Sequence, residues 1–210
     1  MEARQRSGNY SNKQYLFPSA IADKNIVSGK EKAAETITEF NVEIANLSHI
    51  FWAKEICDEM LSSAIARGTG ISKRSPQSIQ LKMKQGEAVI AFTSDGRWAG
   101  VSYISAWENG KFVSNSGLIV APEFRKTGVG KKIKRKIFEL SRQKYPNAKI
   151  FSLTTGLAVM KLNHELGFEP VTYSEITTDD SFWEGCKSCV NCPHFNEQGE
   201  KKLSMYCIAV

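Results

Sequence analysis

Long apolar runs are missing from this 210-residue chain. No stretch approaches the roughly 18 consecutive apolar residues that a membrane span requires. The polar segment Met1 to Tyr15 also has no apolar core of the kind a secretion signal carries. The expectation is a cytoplasmic protein without a membrane partner. A strong charge bias is absent too. The net charge of +6 suits an anionic small ligand. The basic residues do not alternate with exposed aromatics and no nucleic-acid motif occurs, so no nucleic-acid partner is expected. There is no internal repeat, which excludes a solenoid or array. Cysteines number only five. In a cytoplasmic protein that usage reads as reduced or metal-bound thiols rather than disulfides.

What is present is the composition of a globular protein, 41% apolar and 24% charged, at a length that fits one domain with a full core. Residues 1–38 are rich in Ser, Asn, Lys and Ala without an apolar period, and read as an extension to a domain spanning 39–210. Phe40 to Ile44 alternates as a strand does. Ser48 is placed to cap a helix running to about Arg67, with Phe51, Ala53, Ile56, Met60, Leu61 and Ile65 as its buried stripe. Gly68-Thr-Gly70 ends it, and Ser75-Pro76 opens a second helix that ends near Gly86. Strand-like runs follow at 88–93, 98–105 and 112–120, separated by the turn pairs Asp95-Gly96 and Asn109-Gly110. A basic helix spans about 128–143. After it come a strand at 149–153, a short helix to Glu165, a strand after Gly167, and a C-terminal strand within 203–210. This order predicts a mixed sheet wrapped by helices.

The most informative stretch is Val120-Ala-Pro-Glu-Phe-Arg-Lys-Thr-Gly-Val-Gly130, followed directly by Lys131 and a helix. Glycines at 128 and 130 let backbone approach a ligand closely. Free amides at a helix N-terminus form an anion site, for which a pyrophosphate is the natural occupant. Val129, Ile133, Ile137 and Leu140 recur at core spacing, while Lys131, Lys132, Lys134, Arg135 and Lys136 are expected on the solvated face.

This stretch resembles the acyl-CoA signature of the GNAT N-acetyltransferase superfamily, and Met160-Lys-Leu-Asn-His-Glu-Leu-Gly-Phe168 resembles its second motif. The resemblance runs from Phe40 to about Tyr173. It implies an α/β fold of the α+β kind, with a mostly antiparallel sheet of six to seven strands flanked by about four helices. It further implies an acetyl-CoA or succinyl-CoA donor. The backbone of Leu118, Ile119 and Val120 would pair with the pantetheine arm. The amides of Arg125, Lys126, Thr127, Gly128, Val129, Gly130 and Lys131 would hold the pyrophosphate, and Asn163 would lie beside the thioester.

By the same resemblance the acyl group passes directly to an amine. Many members carry a glutamate base on the fourth strand and a tyrosine acid four residues before the Gly-Phe glycine. Here those positions read Ser116 and Asn163. Proximity with water-relayed proton transfer is one account. The other assigns the work to different residues, among them Glu108, Ser116, Thr154, Thr155, His164 and Tyr173.

The loop joining the first two helices usually meets the acceptor in this fold. Its Arg67, Lys73 and Arg74 suit a carboxylate, and Asn115, Thr154 and Thr155 join them as substrate-binding candidates. The segments around Arg67, Asn115, Leu153 and Phe182 resemble a bacterial branch linked to arginine biosynthesis, similar to N-acylglutamate synthases. An acidic amino acid is therefore the expected acceptor, for a monomer or homodimer. A protein or peptide N-acetyltransferase and a non-catalytic acyl-CoA-binding module are the alternatives. Finally, Cys186, Cys189 and Cys192 are spaced for a tetrahedral structural zinc completed by Cys207 or His194. Reduced thiols, with Cys207 a buried strand residue, are the competing reading.

Overall fold

A computed structural model describes residues 39–68, 74–154, 156–186, 194, 195, 201, 202 and 206–210. For residues 186, 194, 195, 201, 202 and 206–208 it describes the backbone alone. The strands are β1 (Phe40–Ile44), β2 (Ala88–Thr93), β3 (Trp98–Trp107), β4 (Phe112–Val120), β5 (Lys149–Thr154), β6 (Glu169–Pro170), β7 (His194–Phe195), β8 (Lys201–Lys202) and β9 (Tyr206–Ala209). The helices are α1 (Ala53–Arg67), α2 (Pro76–Lys84), α3 (Val129–Lys144), α4 (Leu157–His164) and α5 (Asp180–Cys186).

Seven strands form one sheet in the order β1-β2-β3-β4-β5-β9-β6, and β7 pairs with β8 separately. Every pairing in the large sheet is antiparallel except β4 with β5. The C-terminal strand therefore does not lie at an edge: β9 is inserted between β5 and β6. The first seven residues of β3 are all buried, as a central strand covered on both faces requires. A side chain at Gly100 would strike Ile133 of α3, whereas Tyr103 shares a cavity with Ile79 of α2. Strand residues of opposite parity point to opposite faces, so α2 and α3 cover different faces of the sheet.

Three expectations need correction. The chain does not enter a helix at Ser48. Asn46 caps a 3-10 turn, Leu47–Trp52, by accepting from the Ser48 amide at 2.8 Å, and α1 begins only at Ala53. The buried stripe of α1 is also narrower than read. Ala53, Ile56, Met60, Ser63 and Ala64 face the core, whereas Phe51, Leu61 and Ile65 are exposed, Ile65 at 72%. Met60 and Leu61 stand about 100° apart on the helix, too far for one contact face.

The third correction concerns α3. Val129, Ile133, Ile137 and Leu140 are buried as expected, each contributing about 1.5–3 kcal/mol. Lys134, assigned to the solvated face, is only 1% exposed. Its ammonium lies 5.4 Å from the centre of the Phe168 ring, and Phe168 also packs on Phe138 of α3. Burial pushes the Lys134 amine down to about 7.

Candidate functional site

The loop after β4 is shaped by its own residues. Pro122–Phe124 form a 3-10 turn, and Phe124 is buried edge-on against Phe40 at 5.6 Å. The Thr127 hydroxyl donates to the Phe124 carbonyl at 2.7 Å. Lys126 and Gly128 then take left-handed backbone angles, φ 67° and 88°. Such alternation turns successive N–H groups toward one concavity. The amides of Lys126, Thr127, Gly128, Val129 and Gly130 have no acceptor among the described residues. A Cβ built on Gly128 meets nothing within 4 Å, so it projects into open space. Five donors without an acceptor among the described residues, at a helix N-terminus, suit an anion.

Side chains brace the loop from behind. Arg125 Nη2 donates to Glu59 Oε1 at 2.7 Å and to Ser63 Oγ at 2.6 Å, and its Nε donates to the Val120 carbonyl at 3.3 Å. Ser63 in turn donates to Glu59. Arg125 thus ties the loop to α1. Arg67 joins this cluster. Burial and the nearby Arg125 guanidinium push its own guanidinium down, and Glu59 opposes the shift. Lys131 is paired at 2.7 Å with Glu165, the residue just after α4, a contact that holds the Glu165 carboxyl below its ordinary range.

Beside this loop the sheet opens. β4 and β5 pair only from Phe112↔Lys149 to Ser114↔Phe151, although β4 continues to Val120. Among the described residues no strand therefore lies opposite Leu118, Ile119 and Val120 on that side. The cause is visible in the β3–β4 register. Val101↔Ile119 is followed by Tyr103↔Ser116, which places one extra residue in β4. Gly117 takes it up at φ 65°, with the Tyr103 ring directly beneath: a Cβ at 117 would lie 2.2 Å from Tyr103 Cε1. A bulge of this kind bends its strand, and here it bends β4 away from β5.

On the α2 face of the opening lies a cavity of about 180 Å³. Arg74, Ile79 and Lys82 approach from one side, Tyr103, Ser105, Trp107 and Ser116 from the sheet, and Ser181, Phe182 and Gly185 from α5. Phe182 stacks edge-on against Trp107 at 5.1 Å. Arg74 Nε donates to the Tyr103 hydroxyl. Lys82 is paired with Glu87 at 2.7 Å.

Of the residues singled out in the sequence, Ser116 and Arg74 line this cavity. Asn115 does not: its Oδ1 accepts from Ser141 of α3 at 2.7 Å, on the other face of the sheet. The Thr154 hydroxyl accepts from the Gly156 amide at 3.0 Å and shapes the turn into α4. Glu108 is a structural anchor. Its carboxylate accepts from the Thr177 hydroxyl at 2.8 Å and the Thr178 amide at 2.9 Å, contacts that hold it below the usual carboxylate range. It thereby fixes the segment leading into α5. Asn163 is wholly buried on α4, and among the described residues neither carboxamide atom has a partner. A buried polar group of this kind calls for a partner such as an ordered water or a ligand. Lys73, Thr155, Cys189 and Cys192 lie outside the described residues, as do the side chains of Cys186, His194 and Cys207. Cys57 is half-buried and burial pushes its thiol up. Among the described residues no helix is long and apolar enough to cross a membrane.

Sequence reading missed Tyr103, Trp107 and Phe182, which look like ordinary core residues in their segments. It also missed the bulge, whose signal was present as a lone glycine inside a strand pattern.

The same fold occurs in solved structures. This is the GNAT fold. N-acetylglutamate synthase from Neisseria gonorrhoeae, solved with coenzyme A and N-acetyl-glutamate, matches with TM-score 0.59 at 14% identity over 81% of this chain. The match covers 34% of that protein, so the chain spans about a third of the synthase's length. A GNAT-family acetyltransferase from Staphylococcus aureus matches with TM-score 0.56 at 13% identity, covering 81% of this chain and 98% of that one. The ribosomal-protein-S18-alanine N-acetyltransferase from Escherichia coli matches with TM-score 0.52 at 11% identity, covering 82% and 93%. No family model and no curated protein matches the sequence. In the GNAT fold described here, the amide nest, the open β4 edge and the orphaned Asn163 carboxamide fit an elongated ligand that is anionic at one end and polar along its length.

Proposed function

We propose that this chain is an acyl-CoA-dependent N-acyltransferase that moves an acetyl or succinyl group to the amine of a small acceptor bearing a carboxylate. The observation that carries the reading is that three features adjoin β4. The amide nest of residues 126–130 follows directly on the β4 edge at Leu118 to Val120, and Ser116 of the same strand, next to the Gly117 bulge, lines the cavity.

Acyl-CoA supplies a thioester already activated toward attack. The chain's residues do the rest. The amides of Lys126 to Gly130 neutralise the pyrophosphate charge. The β4 edge from Leu118 to Val120 offers backbone partners to an extended amide-bearing arm. Asn163 presents both a donor and an acceptor. In the cavity, the guanidinium of Arg74 suits a carboxylate, and the wall of Trp107 and Phe182 excludes water from the amine. Holding donor and amine in line supplies much of the rate advantage of such a transfer.

An acidic amino acid, glutamate first among them, is the leading acceptor. This rests on Arg74 in the cavity and on the likeness to a synthase solved with N-acetyl-glutamate. The test is a screen of amino acids and short peptides for CoA release from acetyl-CoA and succinyl-CoA. The expected result is turnover with acidic amino acids well above neutral ones. Equal rates on both overturn the acidic acceptor, and turnover confined to peptides replaces it with a protein acceptor.

A further inference from the structure

The reaction needs a group that hands a proton to the departing thiolate and takes one from the attacking amine. The two family positions that commonly do this work read Asn163 and Ser116 here, and neither side chain exchanges protons usefully near neutral pH. Among the described residues, the ionisable groups lining the cavity are Arg74 from the segment before α2, Lys82 from α2 and Tyr103 from β3, and α5 presents Ser181, Phe182 and Gly185. Arginine does not give up its proton in proteins. Lys82 is held in its ion pair with Glu87. Tyr103 is left. Its ring is buried beneath Gly117, at the point where β4 leaves β5, and lies directly across from Ser116.

We propose that Tyr103 is the catalytic acid and base of the acyl transfer and that Arg74 stabilises the charge it acquires in between. The assignment rests on the acyltransferase reading. As the amine nitrogen forms its bond to the thioester carbonyl carbon, the C–S bond breaks and its electron pair goes to sulfur. The Tyr103 hydroxyl gives its proton to that sulfur, releasing a free thiol. The extra proton on the new amide nitrogen then returns to the Tyr103 oxygen. Donor plus neutral amine yield amide plus thiol, and the enzyme ends as it began. Throughout, Arg74 Nε–H donates to the phenol oxygen. A charge-assisted hydrogen bond of that kind strengthens when the oxygen becomes anionic. A proton carrier on β3 also explains how the chain dispenses with an ionisable side chain at Ser116 of β4 and at Asn163 of α4.

The test uses the full chain, acetyl-CoA and the amine turned over fastest in the screen. Tyr103→Phe keeps the ring that packs under Gly117. The expected result is unchanged CoA affinity by calorimetry, an unchanged KM for acetyl-CoA and a kcat lower by about 100-fold, the scale of general acid–base catalysis. The wild-type fall in kcat/KM on the alkaline side, where the acid loses its proton, should vanish in the variant. A kcat within threefold of wild type, with the alkaline limb intact, overturns the assignment of Tyr103 alone. Should Tyr103→Phe misfold, 3-fluorotyrosine at position 103 preserves the shape and sharpens the phenol's acidity. The alkaline limb then moves to lower pH if Tyr103 carries the proton, and a limb that stays in place overturns the proposal. Wild-type protein that binds CoA yet turns over no amine overturns the acyltransferase reading and the role of Tyr103 together.

Discussion

The anion loop and the proposed acceptor cavity both adjoin β4 and are built from different material. The loop presents backbone amides, oriented by left-handed angles at Lys126 and Gly128, and all its contacting residues lie within one short stretch. The cavity presents side chains drawn from the segment before α2, from β3 and β4, and from α5, more than a hundred residues apart. A site made of backbone is insensitive to most substitutions and vulnerable at its glycines. A site made of side chains can be retuned one residue at a time, and each residue depends on elements that hold it from behind.

The largest effect expected from this contrast is at Gly128. Gly128→Val places a Cβ in the open space the anion occupies and demands φ near 88° from a β-branched residue. CoA affinity should fall by on the order of 1000-fold in calorimetry. Unchanged affinity would break the comparison, because the loop would not be the binding site.

Lys134 offers the complementary test, since it lies on α3, whose N-terminus forms the anion site, yet points into the core. Its amine sits at about 7 in the folded chain against an ordinary value of 10.5. Between those values the unfolded chain binds the proton and the folded chain does not, so this group makes stability rise with pH from about 7 toward 10, while below about 7 both states bind the proton and its contribution is level. Lys134→Met should raise stability at pH 7 by about 3–4 kcal/mol in urea denaturation, flatten the pH dependence, and leave CoA affinity unchanged. A loss of CoA affinity would show that the loop does not act through backbone alone.

In the cavity, Arg74→Ala should raise the acceptor KM by about 10- to 100-fold while the acyl-CoA KM stays near wild type, the scale of one charge-assisted contact. Equal rises in both would mean that the two regions are not separable. The smallest effect is expected at Glu59. Glu59→Gln loosens the Arg125 tether without touching the amides, and CoA affinity should drop about threefold, a loss that high salt diminishes in calorimetry.

Much of the fold could be read along the chain because its signals are local. The turn pairs at Asp95-Gly96 and Asn109-Gly110, the cap and proline at Ser75-Pro76, and the apolar spacing of α3 all sit where the structure has the corresponding elements. The corrections have equally physical causes. Leu61 and Ile65 are apolar on a helix that buries an adjacent stripe. Lys134 is a lysine in a basic run, and only α4 and Phe168, folded over it, remove it from water. Glu108 looks like an available carboxylate until Thr177 and Thr178 arrive from about seventy residues downstream.

By itself, then, the sequence determined the succession of helices and strands up to β5, the glycine loop of Val120 to Gly130 that opens α3, and the family resemblance. Each depends on residues within a turn or two of one another, whose backbone preferences survive any packing. Only the tertiary structure decided that Tyr103 faces Arg74 beneath the bulge, that Asn115 turns toward α3, and that α5 closes the cavity. Those facts depend on the register of β3 against β4 and on which helix covers which face. Register and layer order are set by the summed burial of the whole core, and no local stretch of residues encodes that sum.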